Sequence, residues 1–246
     1  GTISFDQLHF SYIPGEEILH GISFEIKAGD TIAIVGATGA GKSTIINLLS
    51  RFYEFESGTI AIDGTSIRDY KLAALRNHVA VVLQDVFLFA DSLYNNITLF
   101  NPEISKEQVI TAAKTIGVHD FIESLPGGYD YNVKERGVML SSGQRQLIAF
   151  LRAYISKPNI LVLDEATSSV DSYSEEIIQK AIDTLTEGKT SIVIAHRLAT
   201  VKNASRIVVM DHGKIVEQGT HDELLKIPDG FYAKLYEVQF AETPVL

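Results

Sequence analysis

Thr31-Ile-Ala-Ile-Val35 followed by Gly36-Ala37-Thr38-Gly39-Ala40-Gly41-Lys42-Ser43 is the stretch on which the fold turns. A short apolar run stops at a glycine, and from Lys42 onward Ile45, Ile46, Leu48 and Leu49 take up helical spacing. Gly-x-x-x-x-Gly-Lys-Ser between a buried strand and a helix predicts a phosphate-binding loop. Glycines let the backbone wrap an anion, successive N–H groups and the helix N-terminus point at the phosphates, Lys42 reaches between β- and γ-phosphate, and Ser43 holds Mg²⁺. Without those flanks the same residues make only a glycine-rich turn with a solvated lysine.

Working outward, Ile3, Phe5, Leu8 and Phe10 roughly alternate with polar neighbours, and together with residues 18–26 they predict antiparallel strands. Residues 59–62 and 79–83 read as further strands, the first ending at the tight-turn pair Asp63-Gly64. Helical spacing over 105–125, closed by Pro126-Gly127-Gly128, and over 142–156, closed before Pro158, predicts a helical insertion. Strand 160–163, a helix over 172–185, strand 191–195 and a strand pair 206–210 and 214–218 complete an alternating α/β pattern. Thr220-x-x-Glu223 opens the last helix as a capping box. Such alternation predicts a mainly parallel sheet with helices on both faces.

The 246 residues suit one large domain or two small ones at about 150 residues each. With 46% hydrophobic and 21% charged residues the chain reads as an ordinary folded globule. The absence of cysteine excludes disulfides, thiolate catalysis and Cys-bound zinc, and fits a reducing compartment. A net charge of −10 argues against a nucleic-acid-binding face. Apolar runs such as 79–83 fall far short of the roughly 20 residues a membrane-spanning helix needs. A start at Gly1 instead of Met suggests an excised domain.

A second element delivers carboxylates. Ile160-Leu-Val-Leu163 is followed by Asp164-Glu165, at the carboxyl end of a strand, where open α/β sheets bind ligands. Alone, such a pair is an ordinary solvated strand end. Beside the glycine loop it predicts a nucleotide-hydrolysis site in which Asp164 acts on Mg²⁺ and Glu165, on the other side of the strand, serves as general base toward water. His196 follows strand 191–195 and is positioned to touch the γ-phosphate; a lone histidine is otherwise structural. Leu140-Ser141-Ser142-Gly143-Gln144 is a Ser/Gly turn at a helix N-terminus, either a plain N-cap or a second anion-binding arrangement. If one chain's glycine loop and another's Ser-Gly turn sandwich one nucleotide, hydrolysis requires a dimer.

With these motifs in this order, essentially the whole chain resembles the nucleotide-binding domain of ABC transporters. The resemblance implies an α/β fold: a P-loop NTPase (RecA-like) core over about 1–84 and 158–246, with an N-terminal antiparallel β-subdomain, and a helical subdomain inserted at about 85–157. It further implies a Walker A at 36–43 with Thr44 beside it, a Q-loop glutamine at Gln84 that touches the metal, a signature at 140–144 and a Walker B at 160–165. A D-loop at 168–171 ending in Asp171, a switch histidine at His196 and an adenine-stacking aromatic at Tyr12 complete the set. Gln84–Phe89 and Glu135-Arg136-Gly137 look like the exporter branch, where exporters meet their membrane domains. The partners implied are a second such domain, head to tail, and membrane domains at the cytoplasmic face of the cell (inner) membrane, with ATP and Mg²⁺ as cofactors and no nucleic acid.

One position departs from the family pattern. The usual third signature residue is glycine, and here it is Ser142, whose Cβ and hydroxyl are expected to weaken a phosphate contact and whose backbone is expected to be strained. Two other classes compete with a transporter: a soluble ABC-type ATPase acting on nucleic acid or ribosomes, and a P-loop kinase or nucleotide-binding module. The single motif set in an acidic chain counts against the first, and 140–144, 164–165 and His196 count against the second.

Overall fold

The computed structural model describes residues 1–164 and 172–239. Its strands are β1 (Ile3–Ile13), β2 (Glu16–Ile26), β3 (Thr31–Gly36), β4 (Ser57–Ile62), β5 (Thr65–Ser66), β6 (Val79–Val82), β7 (Ile160–Asp164), β8 (Thr190–Ile194), β9 (Arg206–Asp211) and β10 (Lys214–Gly219). They form an antiparallel sheet β2-β1-β4-β5 and a six-stranded sheet β10-β9-β3-β8-β7-β6. In the larger sheet only the β9–β10 hairpin is antiparallel. The expected mainly parallel core and N-terminal antiparallel sheet are both present.

Strand phase sets the layers. Ile32 and Ile34, Ile160 and Val162, and Ile192 and Ile194 join one core with the β1–β2 hairpin and the helix after the glycine loop. Ala33 and Val35, Leu161 and Leu163, and Val193 and Ala195 point the other way, into a core shared with the helical segment. Burial on both faces is why these strands read as unbroken apolar runs. In β1 the alternation changes parity at a bulge: Gln7 takes a φ of 44°, and the register with β2 and β4 shifts there. Ile3, Phe5, Leu8 and Phe10 therefore all reach the core. Gly58 faces this bulge, where a Cβ would collide with the Gln7 carbonyl.

The helices are α1 (Lys42–Leu49), α2 (Leu72–His78), α3 (Leu93–Thr98), α4 (Lys106–Ile116), α5 (His119–Glu123), α6 (Ser142–Ile155), α7 (Ser172–Thr186), α8 (Leu198–Asn203), α9 (His221–Leu225) and α10 (Phe231–Gln239). The single helix expected over 105–125 is two, because Gly117 adopts a left-handed φ of 81° and ends α4. The C-terminal helix is likewise two. The Glu217 carboxylate accepts the Phe231 and Tyr232 N–H groups at 2.7 and 2.9 Å and starts α10 afresh. The short α2, α3 and α8 carry too few turns to show a period. Thr220 and Glu223 form both halves of the expected capping box, as do Ser105 with Gln108 and Ser141 with Gln144; a cap of this kind is worth about 1 kcal/mol.

Candidate functional site

The parallel strands deliver their carboxyl ends to one edge, with Gly36 closing β3, Asp164 closing β7, and Gln84 and His196 just beyond β6 and β8. Tyr12, Thr38, Gly39, Gly41, Lys42, Ser43, Thr44, Gln84, Asp164 and His196 line one cavity of about 490 Å³, with Ile18 and Ile194 as apolar wall. Asp164 faces α1 because it keeps the phase of Ile160 and Val162, which pack with Ile45 and Ile46. The Ser43 hydroxyl donates to Asp164 Oδ2 at 3.4 Å. Gly41 enters α1 at a φ of 98°, where a side chain would meet Leu19. Buried Ala40 carries the loop's carbonyl link to Gly213, at 3.1 Å. Lys42 is buried, and its ammonium donates to the carbonyls of Gly36 and Ala37 at 2.7 and 2.9 Å. Glu165 and the segment 168–171, including Asp171, lie outside the described residues.

The charges in the cavity depend on one another. Burial lowers the Lys42 pKa, while the Asp164 carboxylate pulls it back up. Burial raises Asp164, opposed by the Ser43 hydrogen bond and the Lys42 charge and reinforced by Asp85. Burial, and then the Lys42 charge, holds His196 below the ordinary histidine value, so its imidazole is neutral at pH 7. Asp85, which sequence reasoning passed over, thus acts on the site through its charge.

A divalent cation fits this donor set. Asp164 and Ser43 are hard oxygen donors, and burial makes the carboxylate's negative charge costly unless a cation compensates it. Among the described residues no group of three His, Asp or Glu side chains can cage a metal. One carboxylate and one hydroxyl suit Mg²⁺, which keeps waters and takes substrate phosphates as further ligands.

The Ser-Gly turn lies apart from this cavity. Ser141 is the N-cap of α6, accepting from the Gln144 N–H at 3.2 Å while Gln144 Oε1 accepts from the Ser141 N–H at 3.0 Å. Ser142 lines a separate cleft that it shares with Gln84, Asp85 and Arg136. The expected backbone strain at Ser142 is absent: it is the first residue of α6, and neither it nor Gly143 has a positive φ. A helical first turn accepts serine as readily as glycine, so only the added Cβ and hydroxyl distinguish this chain's turn.

Sequence reasoning also missed a buried polar hub behind Gln84. Arg152 of α6 donates from Nε to the Asn96 carbonyl at 2.6 Å, from Nη1 to the Phe87 carbonyl at 2.9 Å and from Nη2 to Asn96 Oδ1 at 3.1 Å. Fully buried Asn96 accepts the Phe89 N–H at 2.8 Å and donates to the carbonyls of Phe89 and Ser92, each at 3.0 Å. Burial brings the Arg152 pKa down to about 10. The hub ties the loop after Gln84 to the helix that begins at Ser142. Asn96→Ala removes the side-chain partner of four of these part-buried bonds, so we expect a loss of about 3 kcal/mol. For a chain of this size that lowers the thermal midpoint by about 6–12 °C in calorimetry; a shift under 2 °C would show that the hub is not structural.

The relatives of this chain have related names. The model of the ABC transporter family matches residues 19–168. An uncharacterized ABC transporter ATP-binding protein, YknV of Bacillus subtilis (strain 168), is 48% identical over 241 residues, covering 98% of this chain and 40% of that protein. The ATP-dependent lipid A-core flippase of Legionella pneumophila (strain Lens) is 50% identical over 239 residues, covering 97% and 40%. A solved structure of a bacterial Atm1-family ABC exporter with ATP bound superposes with a TM-score of 0.90 at 43% identity, covering 98% of this chain and 42% of that one. This chain thus spans about two fifths of the length of the relatives it matches.

The chain belongs to the ABC transporter family. Its fold is that of the family's ATP-binding domain, of exporter type. Proteins with this domain bind ATP and are ATPases. The kinase-like reading and that of an ABC-type ATPase apart from a transporter are therefore not favoured.

Proposed function

We propose that this chain hydrolyses Mg²⁺-ATP and that its closure with a second such domain drives membrane domains of an exporter between inward- and outward-facing states. The observation that carries this reading is the single cavity joining Lys42, Ser43, Asp164, Gln84 and His196 at the carboxyl edge of the sheet. Lys42 and the amides of the loop from Gly36 to Thr44 hold the triphosphate, and Tyr12 stacks on adenine. Ser43, Asp164 and Gln84 would hold Mg²⁺, which when bound would supply positive charge against the triphosphate. Glu165 takes a proton from the attacking water as the bond from γ-phosphorus to the β-phosphate oxygen breaks, and neutral His196 donates to a γ-phosphate oxygen. Ser141, Ser142, Gly143, Gln144 and Asp171 face the nucleotide of the partner domain across a head-to-tail dimer.

We divide the chain into an ATP-binding core over about 1–84 and 158–246 and a helical subdomain over about 85–157. No helix among the described residues is long and apolar enough to cross a membrane. Exposed Phe89, in edge contact with exposed Phe87 on one side and exposed Phe100 on the other, supports docking onto membrane domains at the cytoplasmic face. Phosphate release from ATP tests the reading. We expect release that needs Mg²⁺, stops with EDTA and rises more steeply than linearly with protein concentration, because two chains complete each site. Binding of ATP with no release at any protein concentration would overturn it.

A further inference from the structure

The adenine end of the cavity contains a contact that neither the motifs nor the family assignment explains. Tyr12 lies near the end of β1, 43% exposed, and an exposed tyrosine beside a hairpin turn would ordinarily sample several rotamers. Here its hydroxyl is tied at two points to α1, the helix that begins with Lys42. Asn47 Nδ2 donates to the Tyr12 hydroxyl at 3.0 Å, and that hydroxyl donates to Thr44 Oγ1 at 3.3 Å. Thr44 and Asn47 are three residues apart and so lie on one side of the helix. Phe10 and Tyr53 also pack against the ring, at 4.7 and 4.9 Å between centroids and both near perpendicular to it. Tyr12 lines the same cavity as Lys42 and Thr44, so these contacts set the ring relative to the phosphate loop.

We propose that Asn47 is a positioning residue for nucleotide binding: with Thr44 it fixes the Tyr12 ring at a set distance from the phosphate loop, so that the base and the triphosphate are recognised together. The inference rests on the reading of Tyr12 as the adenine-stacking residue. A ring ordered before the nucleotide arrives does not lose its freedom on binding, and the affinity gained that way is specific to ligands that carry a base. Among the described residues the Asn47 side chain is hydrogen-bonded to Tyr12, and not to the phosphate loop's backbone donors or to Asp164.

Isothermal calorimetry with the non-hydrolysable analogue adenylyl imidodiphosphate and with inorganic tripolyphosphate tests this on the full chain and its variants. Asn47→Ala is expected to weaken the nucleotide analogue about fivefold and to leave tripolyphosphate unchanged, which also shows that the phosphate loop remains folded. Tyr12→Phe, which keeps the ring and loses both hydroxyl contacts, is expected to weaken the analogue similarly, and the double variant to add little to either. Equal weakening of the analogue and tripolyphosphate in Asn47→Ala would overturn the inference, placing Asn47's effect on the loop. An unchanged analogue affinity in Asn47→Ala, with Tyr12→Ala weakened, would remove Asn47 and leave the adenine subsite standing. Unchanged affinity in Tyr12→Ala would remove both.

Discussion

ATP affinity is expected to fall by at least about a hundredfold in Lys42→Ala, measured by calorimetry, with the fold retained. The Lys42 ammonium is buried and rests on two loop carbonyls, partial charges that compensate a full positive charge incompletely. Burial accordingly pushes its pKa down, and among the described residues the Asp164 carboxylate opposes that push. A triphosphate replaces neutral acceptors with anionic oxygens, and charge-assisted bonds are worth about 1.5–3 kcal/mol each. Two such bonds correspond to at least two decades in affinity, at about 1.4 kcal/mol per decade. Removal of the side chain leaves the Gly36 and Ala37 carbonyls without their lysine donor, so part of the effect falls on stability, and a thermal melt of the variant separates that part from the loss of binding. An affinity within threefold of the parent chain would contradict the role given to the loop.

Turnover is expected to drop about 10²- to 10⁴-fold in Glu165→Gln, the range a positioned general base contributes, while ATP still binds. Glu165 lies outside the described residues, so this expectation rests on its place in the sequence directly after Asp164, whose carboxylate faces Ser43. Glutamine keeps the size and polarity of glutamate and loses the basic oxygen. Bound ATP that is not consumed should then hold two chains together as a persistent dimer in size-exclusion chromatography with ATP and Mg²⁺. His196 is the competing base in the cavity, neutral at pH 7 because burial and Lys42 disfavour its charged form. Near-normal phosphate release in Glu165→Gln, with loss in His196→Ala, would move the base from Glu165 to His196.

Much of the site was legible because its parts are local. Strand, glycine loop and helix follow one another within residues 31–49, and each leaves its own period or spacing in the chain. The capping box at Thr220 and Glu223 was legible for the same reason, since both partners fall within one helical turn. Helix ends were read less well: a single period over 105–125 hid the break at Gly117, because a helical stripe continues across one left-handed residue. The strain expected at Ser142 failed because a motif position records which residue is usual there, whereas cost depends on φ, and this residue is helical.

By itself the sequence determined the class of the protein: apolar runs fix which strands are buried on both faces, and the spacing of glycines, Lys42 and Ser43 defines an anion-binding loop without reference to anything distant. Only the tertiary structure decided which distant side chains meet. The order β3-β8-β7 puts Asp164 opposite Ser43, 121 residues away, the hub joins Asn96 to Arg152 across 56 residues, and Asn47 reaches Tyr12 across 35. Periodicity states the face a residue occupies. The residue it faces is set by strand order, register and packing, which arise from burial summed over the whole chain and leave no local mark.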